Sequence, residues 1–323
     1  MLKGRKILIT GLTGRLGGAV AKALAHDNEL WGLARYSGAG QKEYWEAAGV
    51  RTIVGDYGRG DLAAVPDDCE YVVHIAANCE PNSHEEGMID NAEGVGRLMY
   101  HCRKAKAFLH TSTVGVYAHK DDPEALYSED DPVGGGSLGH YTGTTLAGEG
   151  AARAFSAVFN IPTIICRMAV QYGNFQLAEL PTDQSRLSPI HLQYARFEHG
   201  GMPAMYLADI LAGRPVVLRE GVSTGCALIN NEDIVRFIEP LLNAAAVPAP
   251  TVNWCGDVNV SQIEMVKYLA ELAGVEPKWE IVKHGGFPSF NVDPTKRRSI
   301  TGPCQVHWKD GLKRMYEGLH ATA

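Results

Sequence analysis

The residues with the most legible chemistry stand at the start of the chain, in Thr10-Gly11-Leu12-Thr13-Gly14-Arg15-Leu16-Gly17. Three glycines at three-residue spacing follow an apolar run, Lys6–Thr10 (KILIT), and open an amphipathic one. A strand, a glycine turn and a helix in that order form a phosphate-binding unit. Gly11 permits the tight turn, Gly14 lets backbone N–H groups reach a pyrophosphate, and Gly17 lets the helix pack close to the sheet. The anion then sits at the positive end of the helix. Thr13, Arg15 and Leu16, between the glycines, count with them as dinucleotide contacts. Arg35 lies 18 residues beyond Gly17. An acidic residue there would meet the ribose 2′-hydroxyl of NAD, whereas an arginine suits a 2′-phosphate, so the pattern favours NADP over NAD. Arg15 offers a second cation. Asp56 is placed to meet the adenine amino group, with Tyr57 beside it.

Composition narrows the class further. The 323 residues carry a formal net charge of −7, with scattered basic residues and no nucleic-acid footprint. No apolar run is long enough to span a bilayer. Met1–Lys6 runs straight into a strand, so no signal peptide is expected. Seven cysteines without a CxxC pair read as free thiols in a reducing cytoplasm. Twelve histidines show no ligand spacing, and no metal site is expected.

The elements that must position the glycine turn follow from patterning. Continuous apolar runs predict strands at Lys6–Thr10, Glu29–Arg35, Arg51–Val54, Tyr71–Ala76, Ala107–Ser112 and Thr163–Arg167. Helices are predicted over Gly17–His26, Asn91–Lys106 and Tyr141–Asn160. The alternation predicts an α/β, Rossmann-type doubly wound parallel sheet covered on both faces. Beyond Tyr172-Gly173 the pattern becomes irregular. Helices are expected at Met205–Ala212, Ile234–Ala246, Ser261–Ala273 (with Ser261 and Glu264 at capping-box spacing) and Lys309–Gly318, and a strand at Pro215–Arg219. Two units are expected: residues 1–173 plus about 229–257 as the dinucleotide domain, and 174–228 plus 258–323 as a smaller substrate-binding lobe over its mouth.

In order along the chain, these motifs resemble the extended short-chain dehydrogenases/reductases, which include nucleotide-sugar epimerases and dehydratases. Beyond the glycine turn, Gly55-Asp56 and His74-Ile75-Ala76-Ala77 resemble the family's motifs after its third and fourth strands. Asn91 resembles the opening of its Asn-led helix. Thr111 to Tyr117 resembles its Ser/Thr-rich strand end, Arg167 to Tyr172-Gly173 its R…YG segment, and Ile229 to Asp233 its later turn. The resemblance implies cofactor contacts at Ala76, Ala77, Thr111, Arg167, Met168 and Val170.

It also implies a tyrosine acid/base, a neighbouring Ser or Thr, and a lysine four residues after the tyrosine. The hydroxyl falls on Thr113 and the tyrosine on Tyr141, but the lysine position holds Thr145. Tyr100 and Lys104 share that spacing but precede the Thr113 strand end. Without the lysine charge, Tyr141 is expected near its ordinary pKa of about 10. That favours reduction of a small organic ketone with Tyr141 as proton donor. Two alternatives stay open: epimerisation or elimination on a sugar or nucleotide-sugar, with His140 as a substitute base, and cofactor binding without turnover. Nucleotide-sugar members carry an arginine seven residues before the aspartate matched by Asp233. That position holds Cys226, with Arg219 a further seven upstream. Glu80, His84, Gln176 and Tyr194 are candidate substrate contacts. The partner is expected to be a small molecule, neither nucleic acid nor membrane. The resemblance implies a homodimer across the helices around Leu98, Met99, Phe155 and Val158.

Overall fold

The computed structural model describes residues 1–122, 124–134, 139–173, 201–220, 225–283, 286–287 and 290–320. The elements begin β1 (Lys6–Thr10), α1 (Arg15–Ala25), β2 (Glu29–Ala34), α2 (Gln41–Ala47), β3 (Arg51–Val54), β4 (Tyr71–His74), α3 (His84–Met88). A π-helical turn (Ile89–Glu93) leads into α4 (Gly94–His101), β5 (Ala107–Thr113), β6 (Leu126–Tyr127), α5 (His140–Phe159), β7 (Thr163–Met168) and β8 (Val170–Tyr172). The rest comprises α6 (Gly201–Leu211), β9 (Val216–Arg219), β10 (Gly225–Asn230), α7 (Asn231–Asn243), β11 (Thr251–Trp254), β12 (Asn259–Ser261), α8 (Gln262–Ala273), β13 (Trp279–Val282), β14 (Asn291–Val292), α9 (Thr295–Thr301) and α10 (Trp308–His320).

Seven strands form one parallel sheet in the order β11-β7-β5-β4-β1-β2-β3. The expected doubly wound sheet is therefore present, with one strand more than the sequence reading gave. Ile7, Leu8 and Ile9 of β1 have no exposed surface, because helices cover both faces. Leu8 joins one apolar cluster with Val72, Leu98 and Phe108, while Ile7 and Ile9 join the opposite one with Val20, Leu24 and Phe237. Each such side chain contributes roughly 1.5–3 kcal/mol by leaving water. The chain order reverses between β1 and β4. That switch point, at the carboxyl ends of the strands, is where open α/β sheets bind ligands.

Several boundaries depart from the sequence expectation. The helix expected to open at Asn91 begins at His84, where the Ser83 hydroxyl accepts from the Glu86 amide at 3.1 Å. Asn91 sits inside the π-helical turn, because its side chain is drawn to the backbone of Asn78. Ser261 precedes α8, but its side chain makes no capping bond, so the capping box does not form. Leu98 and Met99 are fully buried in the monomer core, and Phe155 closes over Gly96. Val158 is 73% exposed.

A third apolar cluster gathers Tyr172, Met202, Leu207, Val216, Leu218, Met265, Leu269, Trp308 and Leu312. It lies around the three-stranded sheet β12-β10-β8. No helix among the described residues is long and apolar enough to cross a membrane.

Candidate active site

The site is assembled at the carboxyl ends of β1, β4 and β5, which are neighbours in the sheet. The Thr10 hydroxyl fastens the first two ends together. It accepts from the amides of Ile75 and Ala76, each at 3.2 Å, and meets His74 Nδ1 at 2.8 Å. Contact is so close that a Cβ on Gly11 (φ +75°) would lie 2.6 Å from the Ala76 nitrogen. A Cβ on Gly17 would lie 2.2 Å from the Gly11 carbonyl oxygen. Gly14 differs. It is exposed, and a Cβ there would meet only the Gly11 oxygen at 3.4 Å. Inside the protein nothing demands a glycine at 14; a ligand resting on the turn would.

Three observations fit a dinucleotide here. Gly14 is the N-cap of α1, yet no side chain caps the helix and its first turn holds no acidic residue. The amides of that turn are thus available to a phosphate. The Thr111 hydroxyl, on β5, is buried without a hydrogen-bond partner, and buried hydroxyls are normally satisfied. At the far end of the crevice Arg35 stands 3.7 Å from the Asp56 carboxylate. Asp56 also accepts from the Arg59 amide at 3.3 Å. Tyr57 donates to the Ala76 carbonyl at 3.3 Å, holding the turn after β4. Thr13, Arg15, Leu16, Met168 and Val170 are half-buried, and Ala77 is exposed. Met168 is the register partner of Thr113.

The two residues expected to form the acid/base pair, Tyr141 and Thr113, are brought together. Tyr141, half-buried in the first turn of α5, receives a hydrogen bond from the Thr113 hydroxyl and donates one to the Cys79 sulfur. Burial, reinforced by the Cys79 thiol, pushes the phenol well above its usual range; the Thr113 bond and the positive charge of Arg15 oppose this and lose. The expectation of an ordinary tyrosine pKa is therefore corrected, because desolvation of the phenolate dominates. Thr145 does not reach toward the cleft. It is buried, and its hydroxyl donates to the Tyr141 carbonyl at 2.8 Å.

Arg167 is also placed differently from expectation. It is 3% exposed and turned inward, where Nε and Nη2 bind the two oxygens of buried Glu149 at 2.9 Å each. Its guanidinium lies 4.6 Å from the Tyr117 ring centre. Ser112 donates to Glu149 at 2.6 Å. This pair ties β5, α5 and β7 together beneath the site rather than lining it. Cys226 is buried, its thiol 3.8 Å from the Val260 carbonyl, so it does not face a ligand. Arg219 ends β9. Glu80 and His84 are exposed on the loop and helix after β4, and the His84 ring lies 5.9 Å from that of His140, itself exposed. Gln176 and Tyr194 lie outside the described residues. No group of acidic, histidine and cysteine residues among those described could hold a metal ion.

Sequence reasoning missed Cys79. The signal was its position, three residues past Ala76 and next to Glu80, a candidate substrate contact. It is also the only exposed cysteine of the seven. The buried His74–His110 stack, with ring centres 5.5 Å apart, was missed too.

Comparison with solved structures shows the same fold throughout. A UDP-glucuronic acid 4-epimerase variant from Bacillus cereus superposes with a TM-score of 0.78 at 21% identity, covering 98% of this chain and 99% of that one. A UDP-N-acetylglucosamine 4-epimerase from Methanobrevibacter ruminantium gives 0.80 at 14% identity, covering 100% of both. A UDP-glucose 4-epimerase from Thermotoga maritima gives 0.78 at 18% identity, covering 98% and 99%. No functionally curated protein matches the sequence. The family model described as the NAD dependent epimerase/dehydratase family matches residues 7–246. The chain therefore belongs to the NAD dependent epimerase/dehydratase family, the extended short-chain dehydrogenases/reductases.

Proposed function

We propose that this chain is a nicotinamide-dependent epimerase or dehydratase acting on a nucleotide-linked sugar. The observation that carries the reading is the Tyr141–Thr113 hydroxyl pair set at the switch-point crevice, in a chain of the NAD dependent epimerase/dehydratase family. Net reduction of a free ketone, which the sequence favoured, gives way to it: the family and the similar structures, solved with UDP-sugars and NAD, fit the sugar reading better. The dinucleotide, when bound, supplies a reversible hydride acceptor. Gly14 and the uncapped start of α1 would hold its pyrophosphate. Tyr141 holds the proton exchanged with a sugar hydroxyl, and Thr113 orients that hydroxyl. Because its pKa is raised, the phenol is protonated at neutral pH, so it serves readily as donor and needs nearby positive charge to act as base. Cys226 is buried and carries no positive charge, so a cation for a substrate diphosphate would have to come from another position.

At the adenosine end we propose NADP, on the strength of Arg35 and the lack of an acidic residue closing β2. The lobe built on the third apolar cluster supplies the substrate wall. Pairing as a homodimer across α4 and α5 would cover exposed Tyr100 and Val158. Free thiols fit a reducing cytoplasm.

The test is a panel of UDP-hexoses and UDP-hexuronates incubated with the protein and NADP⁺ or NAD⁺. Product chromatography should show interconversion or water loss with no net change in cofactor, abolished by Tyr141→Phe. Stoichiometric NADPH oxidation by simple ketones, with no sugar nucleotide transformed, would overturn the proposal.

A further inference from the structure

Two non-glycine residues among those described hold a positive φ. Asn160, at +53°, is the C-cap of α5, where asparagine often takes this conformation. Tyr36, at +47°, stands just past the end of β2, next to Arg35. A bulky residue adopts that backbone only where its surroundings impose it.

The surroundings here are specific. The Tyr36 hydroxyl turns back and donates to the Gly32 carbonyl within β2 at 2.8 Å. Its ring packs on the core cluster that holds Leu12 and Val50. Gly32 leaves the room for this: a Cβ there would lie 3.0 Å from the hydroxyl and 2.5 Å from Leu12 Cδ1. Leu12 is fully buried and belongs to the glycine turn, so the same packing ties Tyr36 to the cofactor cradle. A second fastening follows at once. The Gly38 amide donates to the buried Gln41 side chain at 3.1 Å, and the Gln41 amide donates to the Gly38 carbonyl at 3.2 Å. On either side of Tyr36, Arg35 and Ser37 are exposed. The Arg35 guanidinium stands 3.7 Å from the Asp56 carboxylate, beyond the end of β3.

We propose that Tyr36 is a specificity-determining residue for the cofactor, acting as a positioning residue. Its locked backbone fixes where the chain leaves β2, and so holds Arg35 toward the end of β3 to read a 2′-phosphate. This deepens the proposed function and rests on its NADP reading. Fixing the base of a long side chain lowers the ordering cost of its charge-assisted bonds to a phosphate. NAD presents a hydroxyl at the same point and gains little from that placement. The Tyr36 hydroxyl is bound to Gly32, so its effect on the ligand passes through Arg35.

The experiment titrates the full-length protein calorimetrically with NADP⁺ and with NAD⁺, which differ only in the 2′-phosphate, and reads the ratio of the two affinities. Tyr36→Phe keeps the ring and removes the bond to Gly32; Tyr36→Ala removes both. Circular dichroism confirms folding. Tyr36→Phe should weaken NADP⁺ about tenfold, as loss of one hydrogen bond does, and leave NAD⁺ within about twofold. Tyr36→Ala should remove the preference. In an Arg35→Gln background, Tyr36→Phe should change neither affinity further, because the two act as one unit. Equal weakening of both cofactors in folded variants, an unmoved ratio in Tyr36→Phe, or a further loss on top of Arg35→Gln would overturn the proposal. A wild-type protein without preference for NADP⁺ would overturn the NADP reading and this proposal together. A preference that survives intact in Tyr36→Phe would remove only the role given to Tyr36.

Discussion

Two glycines three residues apart should respond in opposite ways to the same methyl group. At Gly17 an alanine Cβ would stand 2.2 Å from the Gly11 carbonyl oxygen, 2.5 Å from its carbon and 2.9 Å from the Leu12 nitrogen. All three are backbone atoms at the crossing of β1 and α1, so relief requires the helix to move off the sheet. Overpacking of this kind costs typically about 1–3 kcal/mol. Gly14→Ala meets one backbone oxygen at 3.4 Å, and its φ of −100° and ψ of 175° suit any L residue. Stability should hold or rise by roughly 0.4–1 kcal/mol through the unfolded chain. The added methyl instead faces the pyrophosphate. Loss of one hydrogen bond to a charged group, about 1.5–3 kcal/mol, weakens dinucleotide binding about tenfold to a hundredfold. Urea denaturation of the cofactor-free variants reads the first effect, and calorimetric titration with NADP⁺ or NAD⁺ reads the second. Wild-type affinity in Gly14→Ala, or wild-type stability in Gly17→Ala, would refute the assignment of these two roles.

Three further outcomes follow from the same structure. Glu149→Gln strips the charge from a carboxylate 1% exposed and leaves Arg167 buried and unpaired; a loss of about 3–5 kcal/mol is expected from chemical denaturation at neutral pH. His110 is buried with neither ring nitrogen bonded, and burial lowers its pKa from 6.5 to about 4. It must charge on unfolding, so its contribution is present above pH 6.5 and disappears as pH falls toward 4, on the order of 3 kcal/mol in all. His110→Phe should flatten that acid limb of the stability curve, and an unchanged limb would show that His110 is not its source. Arg35→Asp should reverse any preference for NADP over NAD in a competition titration; an unchanged ratio would remove Arg35 from the 2′-phosphate site.

The parts of this molecule that were legible in the sequence are those where local pattern and burial coincide. Strands covered on both faces read as unbroken apolar runs, and β3 was bounded correctly at Arg51–Val54. The glycine turn was legible because backbone crowding excludes side chains at Gly11 and Gly17. α2 escaped because its seven residues, under two turns, bury only Gln41 and Trp45 and so show no repeated apolar spacing. β11, only four residues long and directly following Pro250, is recognisable as a strand only by its pairing with β7. The π-helical turn at Asn91 arises from contacts with Asn78, Thr144 and Gly148, which no window of sequence contains. Arg167 was assigned to the cofactor on its motif position, but the partner that turns it inward, Glu149, lies on a different element. Cys79 joins the site only through the third dimension.

The most direct test of the account is where the nicotinamide lies. A crystal structure with NADP⁺ or NAD⁺ bound should show the pyrophosphate over Gly14 at the start of α1 and the nicotinamide ring beside the Tyr141 hydroxyl and Thr113. A dinucleotide bound elsewhere, or with its ring turned away from Tyr141, would contradict it.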